Sequence, residues 1–193
     1  MRVLGGKFRG RLLRSPSTDQ TRPTTSKLRK ALFDICQSEI EGTRVLDLYA
    51  GCGAIGIEAL SRGASHVTFV DAHRLAVKRI YENLHLLQLE AQAEVRLGDA
   101  MQQLKRLQQE GFCFDLVYID PPYALGGDAP RGLLVRLLEW FDGSSILQQG
   151  ASLFLEEGPP HRLNTSLPQL ARLSKTSVRR FGRTLLHQFR VLH

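Results

Sequence analysis

The stretch from residue 44 to residue 62 narrows the fold more than any other part of the chain. Arg44-Val-Leu-Asp47-Leu-Tyr49-Ala50 has the length and apolar content of a buried strand. It runs into Gly51-Cys52-Gly53-Ala-Ile-Gly56 and then into Ile57-Glu-Ala-Leu-Ser-Arg62. Strand, glycine turn and helix in that order make a βα unit, whose glycines let backbone N–H groups and a helix start approach a ligand closely. Such units build parallel sheets flanked by helices. His66-Val-Thr-Phe-Val-Asp71 reads as a second strand, ending in an acid placed for ribose hydroxyls. Glu94-Val-Arg-Leu-Gly-Asp99-Ala100 reads as a third, ending in an acid suited to an adenine amino group. The glycine spacing alone also fits a dinucleotide fingerprint. Asp47 argues against that, because a carboxylate four residues before the first glycine crowds a pyrophosphate but suits an amino-acid ammonium group.

A fourth strand is the run Asp115-Leu-Val-Tyr-Ile119, stopped by Asp120-Pro121-Pro122-Tyr123. Prolines have no N–H for a strand ladder, so the chain must leave the sheet there. An acid, a stiff backbone and an aromatic ring then stand at the carboxyl end of a strand, where open α/β sheets bind ligands. An exocyclic amine on a planar base is a poor nucleophile, since its lone pair is delocalised into the ring. Asp120 can accept one of its N–H groups, the Pro121 carbonyl can accept the other, and Tyr123 can stack on the base. The plainer reading of the same four residues is an Asp-Pro turn closing a strand.

The spacing predicts helices at 75–87 (Ala76, Ile80, Leu84, Leu87), at 100–109 with Leu104 and Leu107 inward, and at 133–141 after a Gly126-Gly127 loop. Gly150 to Glu156 is a fifth strand. Thr176–Arg180 and Leu185–Val191 form an antiparallel pair around Gly182. At the other end, residues 1–14 read as a basic β-hairpin turning at Gly5-Gly6, followed by a linker to residue 20. Phe8 among Lys7, Arg9 and Arg11 is the aromatic and cationic mixture that binds nucleic acid, or else a phenylalanine packed on the domain. A helix opens after Arg22, capped by Thr24 or Thr25. Its apolar face is Leu28, Ala31, Leu32 and Ile35, with Lys27, Arg29 and Lys30 directed elsewhere. The expected organisation is a hairpin and linker over residues 1–20 and one α/β domain over residues 21–193.

Placement of charge matters more than its sum of +7. Arg2, Lys7, Arg9, Arg11, Arg14 and Arg22 face one acid, Asp19. No acid follows Glu157, yet seven Lys or Arg do. Two basic ends around a more acidic middle suit a polyanion, against the alternative of a solvated basic face. The three cysteines and six histidines show no metal-ligand spacing, so no metal is expected. No run reaches the roughly 18 apolar residues of a membrane span and no signal-peptide core opens the chain, so a cytoplasmic protein without a membrane partner is expected.

Four strands that each end in an acid or a glycine turn, alternate with helices and close on a hairpin resemble the class I S-adenosylmethionine-dependent methyltransferases. Asp-Pro-Pro-Tyr resembles the branch that modifies N6 of adenine or N2 of guanine. Three stretches together narrow it: Arg2-Val-Leu-Gly-Gly-Lys-Phe-Arg-Gly-Arg11, Arg22-Pro-Thr-Thr25, and Asp47-Leu-Tyr-Ala-Gly-Cys-Gly-Ala-Ile-Gly-Ile-Glu-Ala-Leu-Ser-Arg-Gly-Ala64. They are similar to the RsmD family, which methylates N2 of one guanine in bacterial 16S ribosomal RNA. The likeness runs nearly to Glu157. It implies a Rossmann-like sheet, mostly parallel, with a small N-terminal extension and S-adenosyl-L-methionine as cofactor. By this resemblance Asp47, Tyr49, Ala50, Gly51 and Gly53 line the methionine part, Asp71 binds the ribose, and Asp99 with Ala100 faces the adenine. Thr24, with Arg22, lies over the site. Asp120, Pro121, Pro122 and Tyr123 present the amine. Arg2, Lys7, Phe8, Arg9, Arg11 and Arg22 contact RNA.

The chain leaves no room for the separate recognition domain of sequence-reading DNA enzymes. The expected substrate is therefore a small ribosomal subunit or assembly intermediate, met by a monomer. An adenine-N6 enzyme and a non-catalytic RNA-binding assembly factor are the alternatives.

Overall fold

The structure is a computed structural model that describes residues 1–15, 25–122, 129–159 and 168–192, with backbone alone at 129–131. Its elements alternate as the spacing requires. They are α1 (Ser26–Ile35), β1 (Arg44–Leu48), α2 (Ala54–Ser61), β2 (His66–Asp71), α3 (Arg74–Leu87), β3 (Ala93–Leu97), α4 (Ala100–Gln109), β4 (Phe114–Ile119), α5 (Ala129–Gly143), β5 (Leu147–Glu157), β6 (Leu173–Phe181) and β7 (Thr184–Val191). They form two compact units, Met1–Gln103 and Leu104–His193.

In the first unit the strands lie in the order β3-β2-β1, all parallel, with Leu46 beside Thr68 and Thr68 beside Glu94. Leu46, Leu48, Val67, Phe69 and Val70 are fully buried, as strands covered on both faces must be. β3 is half-exposed along most of its length. Helix α2 lies unusually close to β2. A Cβ at Gly56 would stand 2.2 Å from Phe69 Cε1, so the absent side chain sets the helix–sheet distance.

Thr25 caps α1, its Oγ1 accepting the Leu28 N–H at 3.2 Å. The buried face of α1 differs from the expected one. Leu28, Arg29, Leu32, Phe33 and Cys36 are buried, while Ala31 and Ile35 are only half-covered. Arg29 is 0% exposed and one of its Nη atoms donates to the Arg2 carbonyl at 3.0 Å. An aliphatic stem with a donor-rich head suits such a position when a backbone acceptor lies at its end. The Arg62 guanidinium stacks over Phe33 at 5.0 Å.

The acceptor for Arg29 comes from the N-terminal segment. Its hairpin is reduced to one bridge, Arg2 with Leu12, supported by bonds from Val3 N to Arg11 O, Gly10 N to Val3 O and Leu13 N to Met1 O. Other polar groups of the segment turn to α2. Leu4 N donates to Glu58 Oε2 at 2.7 Å, Phe8 N to Ser61 Oγ at 2.9 Å, and Ser61 Oγ to Gly5 O at 2.6 Å. Gly6 has φ +72°, and a Cβ there would fall 1.8 Å from the Ser61 carbonyl. The paired glycines therefore allow close docking on α2 as well as the turn.

The second unit orders its strands β4-β5-β7-β6. β5 is parallel to β4 and antiparallel to β7, which is antiparallel to β6. Val117, Ile119, Leu153, Leu155 and Phe189 are fully buried. Asp142, in α5, accepts the N–H groups of Ala171, Arg172 and Leu173 at 2.7–2.8 Å. That one carboxylate fixes where β6 begins.

Candidate cofactor cradle and acceptor motif

Because β1, β2 and β3 are parallel, their carboxyl ends share one edge of the first unit. The connections there are bonded to one another. Ala50 N donates to Val70 O, Gly98 N donates to Asp71 O, and Gly51 N donates to Asp71 Oδ2 at 2.8 Å. His73 N donates to the other Asp71 oxygen, also at 2.8 Å. Each carboxylate oxygen retains a second lone pair, so Asp71 is oriented by backbone and still able to accept hydroxyl donors.

Asp47 is 1% exposed. Gly56 N, in the first turn of α2, donates to its Oδ2 at 2.9 Å. Burial, opposed by this bond and reinforced by the Asp71 charge, raises the Asp47 carboxyl to about 8. A buried acid held in that state is a natural seat for a cationic group, which restores the charged form. Tyr49 has φ +60°. For an aromatic residue this is costly backbone, of the kind that collects at ligand sites. Gly51 and Gly53 also have positive φ, and Gly53 N-caps α2. Burial raises the Cys52 thiol as well, with Asp47 adding to the effect, so between the glycines it stands as a neutral thiol and not as a nucleophile.

Asp99 is exposed and precedes α4, where its Oδ1 accepts Gln102 N at 3.0 Å; Ala100 behind it is buried. Three carboxylates and a glycine turn thus stand along one edge. This set fits S-adenosylmethionine. Asp47 could take an ammonium group, Asp71 and Asp99 could accept from hydroxyl and amino groups, and Gly51 and Gly53 keep the turn free of side chains where a ligand would approach.

In the second unit Asp120 and Pro121 directly follow the buried strand β4. Asp120 is half-buried, Pro121 buried and Pro122 exposed. Two acids at the carboxyl end of the neighbouring strand lie inside the unit. Tyr118 Oη donates to Glu156 Oε2 at 2.5 Å, and His187 Nε2 meets Glu157 Oε2 at 2.7 Å. Tyr123, Arg22 and Thr24 lie outside the described residues, as does the Gly126-Gly127 loop.

The N-terminal segment displays Arg2, Lys7, Arg9 and Arg11 as exposed side chains, with Phe8 half-buried and Lys7 Nζ 5.4 Å from its ring centre. Sequence reasoning missed Glu58, Ser61 and Asn83, which fasten this segment. Each was signalled by a polar residue inside an apolar pattern. Asn83, for instance, occupies the helical stripe between Ile80 and Leu87. Among the described residues no cluster of metal-ligating side chains occurs and no helix is long and apolar enough to cross a membrane.

A family model described as "Conserved hypothetical protein 95" matches residues 1–190. The chain is 40% identical over 169 residues to the "Putative rRNA methyltransferase YlbH" of Bacillus subtilis, covering 88% of this chain and 86% of that protein. It is 33% identical over 165 residues to "Ribosomal RNA small subunit methyltransferase D" of Escherichia coli, covering 86% and 78%. Among solved structures, the "Putative methyltransferase yhhF" of Escherichia coli superposes with a TM-score of 0.81 at 27% identity, over 100% of this chain and 98% of that one.

Proposed function

Because the chain belongs to the RsmD family of S-adenosylmethionine-dependent methyltransferases, we propose that it methylates the exocyclic N2 amine of one guanine in 16S ribosomal RNA. Its substrate is the small ribosomal subunit or an assembly intermediate, and it acts as a monomer in the cytoplasm. The observation that carries the reading is Asp120-Pro121-Pro122 standing immediately after a strand buried from Leu116 to Ile119, in a relative of enzymes named for ribosomal RNA methylation.

The bound cofactor supplies a methyl group already activated as a sulfonium. The chain's own residues hold and align. Asp47 takes the ammonium group, Asp71 the ribose and Asp99 the adenine. Asp120 accepts one N–H of the guanine amine and the Pro121 carbonyl accepts the other. Their pull directs the nitrogen lone pair and stabilises the positive charge that grows there during transfer. Alignment of two reactants is worth about 7–11 kcal/mol, and the surplus proton of the methylated amine leaves to Asp120 or to water. The guanine enters unpaired or flipped, against Tyr123. Arg2, Lys7, Arg9, Arg11 and Arg22 neutralise phosphates, with Phe8 among them.

The test is to incubate the protein with labelled S-adenosylmethionine and small subunits lacking endogenous methylation, then identify the nucleoside. N2-methylguanosine is expected. N6-methyladenosine would move the chain to the adenine branch. Absence of label, with cofactor binding intact by calorimetry, would overturn the substrate assignment. Equal labelling of protein-free RNA would overturn the ribonucleoprotein part alone.

A further inference from the structure

Asn83 is 0% exposed in α3, on a stripe otherwise made of Ala76, Ile80, Leu84 and Leu87. Its Nδ2 donates to the Arg14 carbonyl at 2.9 Å and to the Cys52 carbonyl at 3.0 Å, and its Oδ1 accepts the Arg14 N–H at 2.7 Å. A carboxamide can do this because it carries two donors and an acceptor; an aspartate would face two carbonyls with no proton to give. The two partners belong to different functional parts. Cys52 lies in the glycine turn, between Gly51, bonded to Asp71, and Gly53, which begins α2. Arg14 ends the segment whose internal bonds hold Arg2, Arg9 and Arg11 on the surface. The same segment is fastened near its start to Glu58 and Ser61 of α2. One buried amide is therefore shared by the cofactor turn and the basic segment.

We propose that Asn83 is a positioning residue that makes the cofactor turn and the basic segment one cooperative unit, so that occupation of the turn tightens the segment. Ordering one part lowers the cost of ordering the other, and such coupling is reciprocal. Anything that binds Arg9 and Arg11 then raises cofactor affinity by the factor through which cofactor raises its own. The coupling rests on assigning the turn to the cofactor; that RNA exploits it rests further on the proposed role of the segment.

Amide hydrogen exchange of the full chain, with and without saturating S-adenosylhomocysteine, tests it. The product should slow exchange severalfold at Val3, Gly10, Leu13 and Arg14 in the wild type. The slowing should vanish in Asn83→Ala and Asn83→Asp, and persist in His85→Ala, an exposed site on the same helix. Slowing confined to residues 49–56 in the wild type would overturn the coupling, and needs no variant to fold. Retention of the slowing in a folded Asn83→Asp protein would equally remove Asn83 from the role. Slowed exchange together with unchanged RNA affinity in Arg9→Ala and Arg11→Ala would support the coupling and overturn the RNA assignment of the segment. Failure to bind S-adenosylhomocysteine at all would overturn the cofactor assignment instead.

Discussion

A carboxyl enclosed as fully as Asp47 responds to pH in a defined direction. Its value in the folded chain, about 8, lies above the ordinary 3.8. The ligand-free protein therefore holds this proton through neutrality, and the group's contribution to stability is present below about pH 4 and lost as pH rises toward 8. A bound ammonium reverses the preference, since it favours the carboxylate. Cofactor binding should accordingly release a proton at pH 7, and affinity should pass through a maximum, rising as Asp47 ionises and falling as the cofactor's own ammonium, ordinarily about 8 for an α-amino group, loses its proton. Calorimetry in buffers of different ionisation enthalpy reads both. Asn in place of Asp47 should weaken binding and flatten the pH profile, and an unchanged profile would assign the ammonium to another group. Asp120 differs in standing at the end of a strand of the second unit. Asp120→Ala should lower methyl transfer by about a hundredfold or more while cofactor affinity stays within about twofold. Parallel loss of both would show that Asp120 serves the cofactor.

Elements in this chain are fitted to one another at points where a small residue or one carboxylate decides the spacing. Gly56→Ala places a methyl group against Phe69 and should destabilise the protein by about 1–3 kcal/mol, seen as a lower midpoint in urea. In the second unit Asp142 joins the end of α5 to the start of β6 through three N–H groups. Burial pushes its carboxyl upward, but those bonds and the Arg172 charge prevail and hold it below the ordinary range. Its contribution is thus present above about pH 4 and lost as pH falls through the folded value. Asp142→Ala should cost about 1–3 kcal/mol at pH 7, and the gap between variant and wild-type melting temperatures should narrow in acid. A gap of constant size from pH 7 to pH 2 would mean the carboxylate is not what holds β6. The order of helices and strands was legible from periodicity to within a few residues, and β2 and α4 fall on their expected bounds. The rotated face of α1 was not legible, because Arg29 reads as a solvent residue until a backbone carbonyl is supplied from residue 2.

At the scale of the molecule, exposed arginines are borne by both ends of the chain, on the segment at residues 2–11 and at Arg179, Arg180 and Arg183 around the β6–β7 turn. A polyanion bound by arginines releases counterions, so RNA affinity should fall steeply with salt. Removing Arg9 or Arg11 should weaken binding and reduce the slope of log affinity against log salt by about 1 each. An unaltered slope in both variants would return the segment to a structural role.

The amino-acid sequence by itself determined the alternation of strands and helices, the glycine turn after β1, the acids at strand ends and the Asp-Pro-Pro stop after β4. Each is a local matter, decided by hydrophobic period, by the missing side chain of glycine and by the missing N–H of proline. Only the tertiary structure decided that Asp47 is sealed from water, that Asp71 holds two backbone N–H groups, and that Arg29, Glu58, Ser61 and Asn83 serve the N-terminal segment. The physical reason is that periodicity reports which side chains leave water, whereas a buried polar atom must find its partner wherever the fold brings one. For Asn83 those partners stand 31 and 69 residues away in sequence.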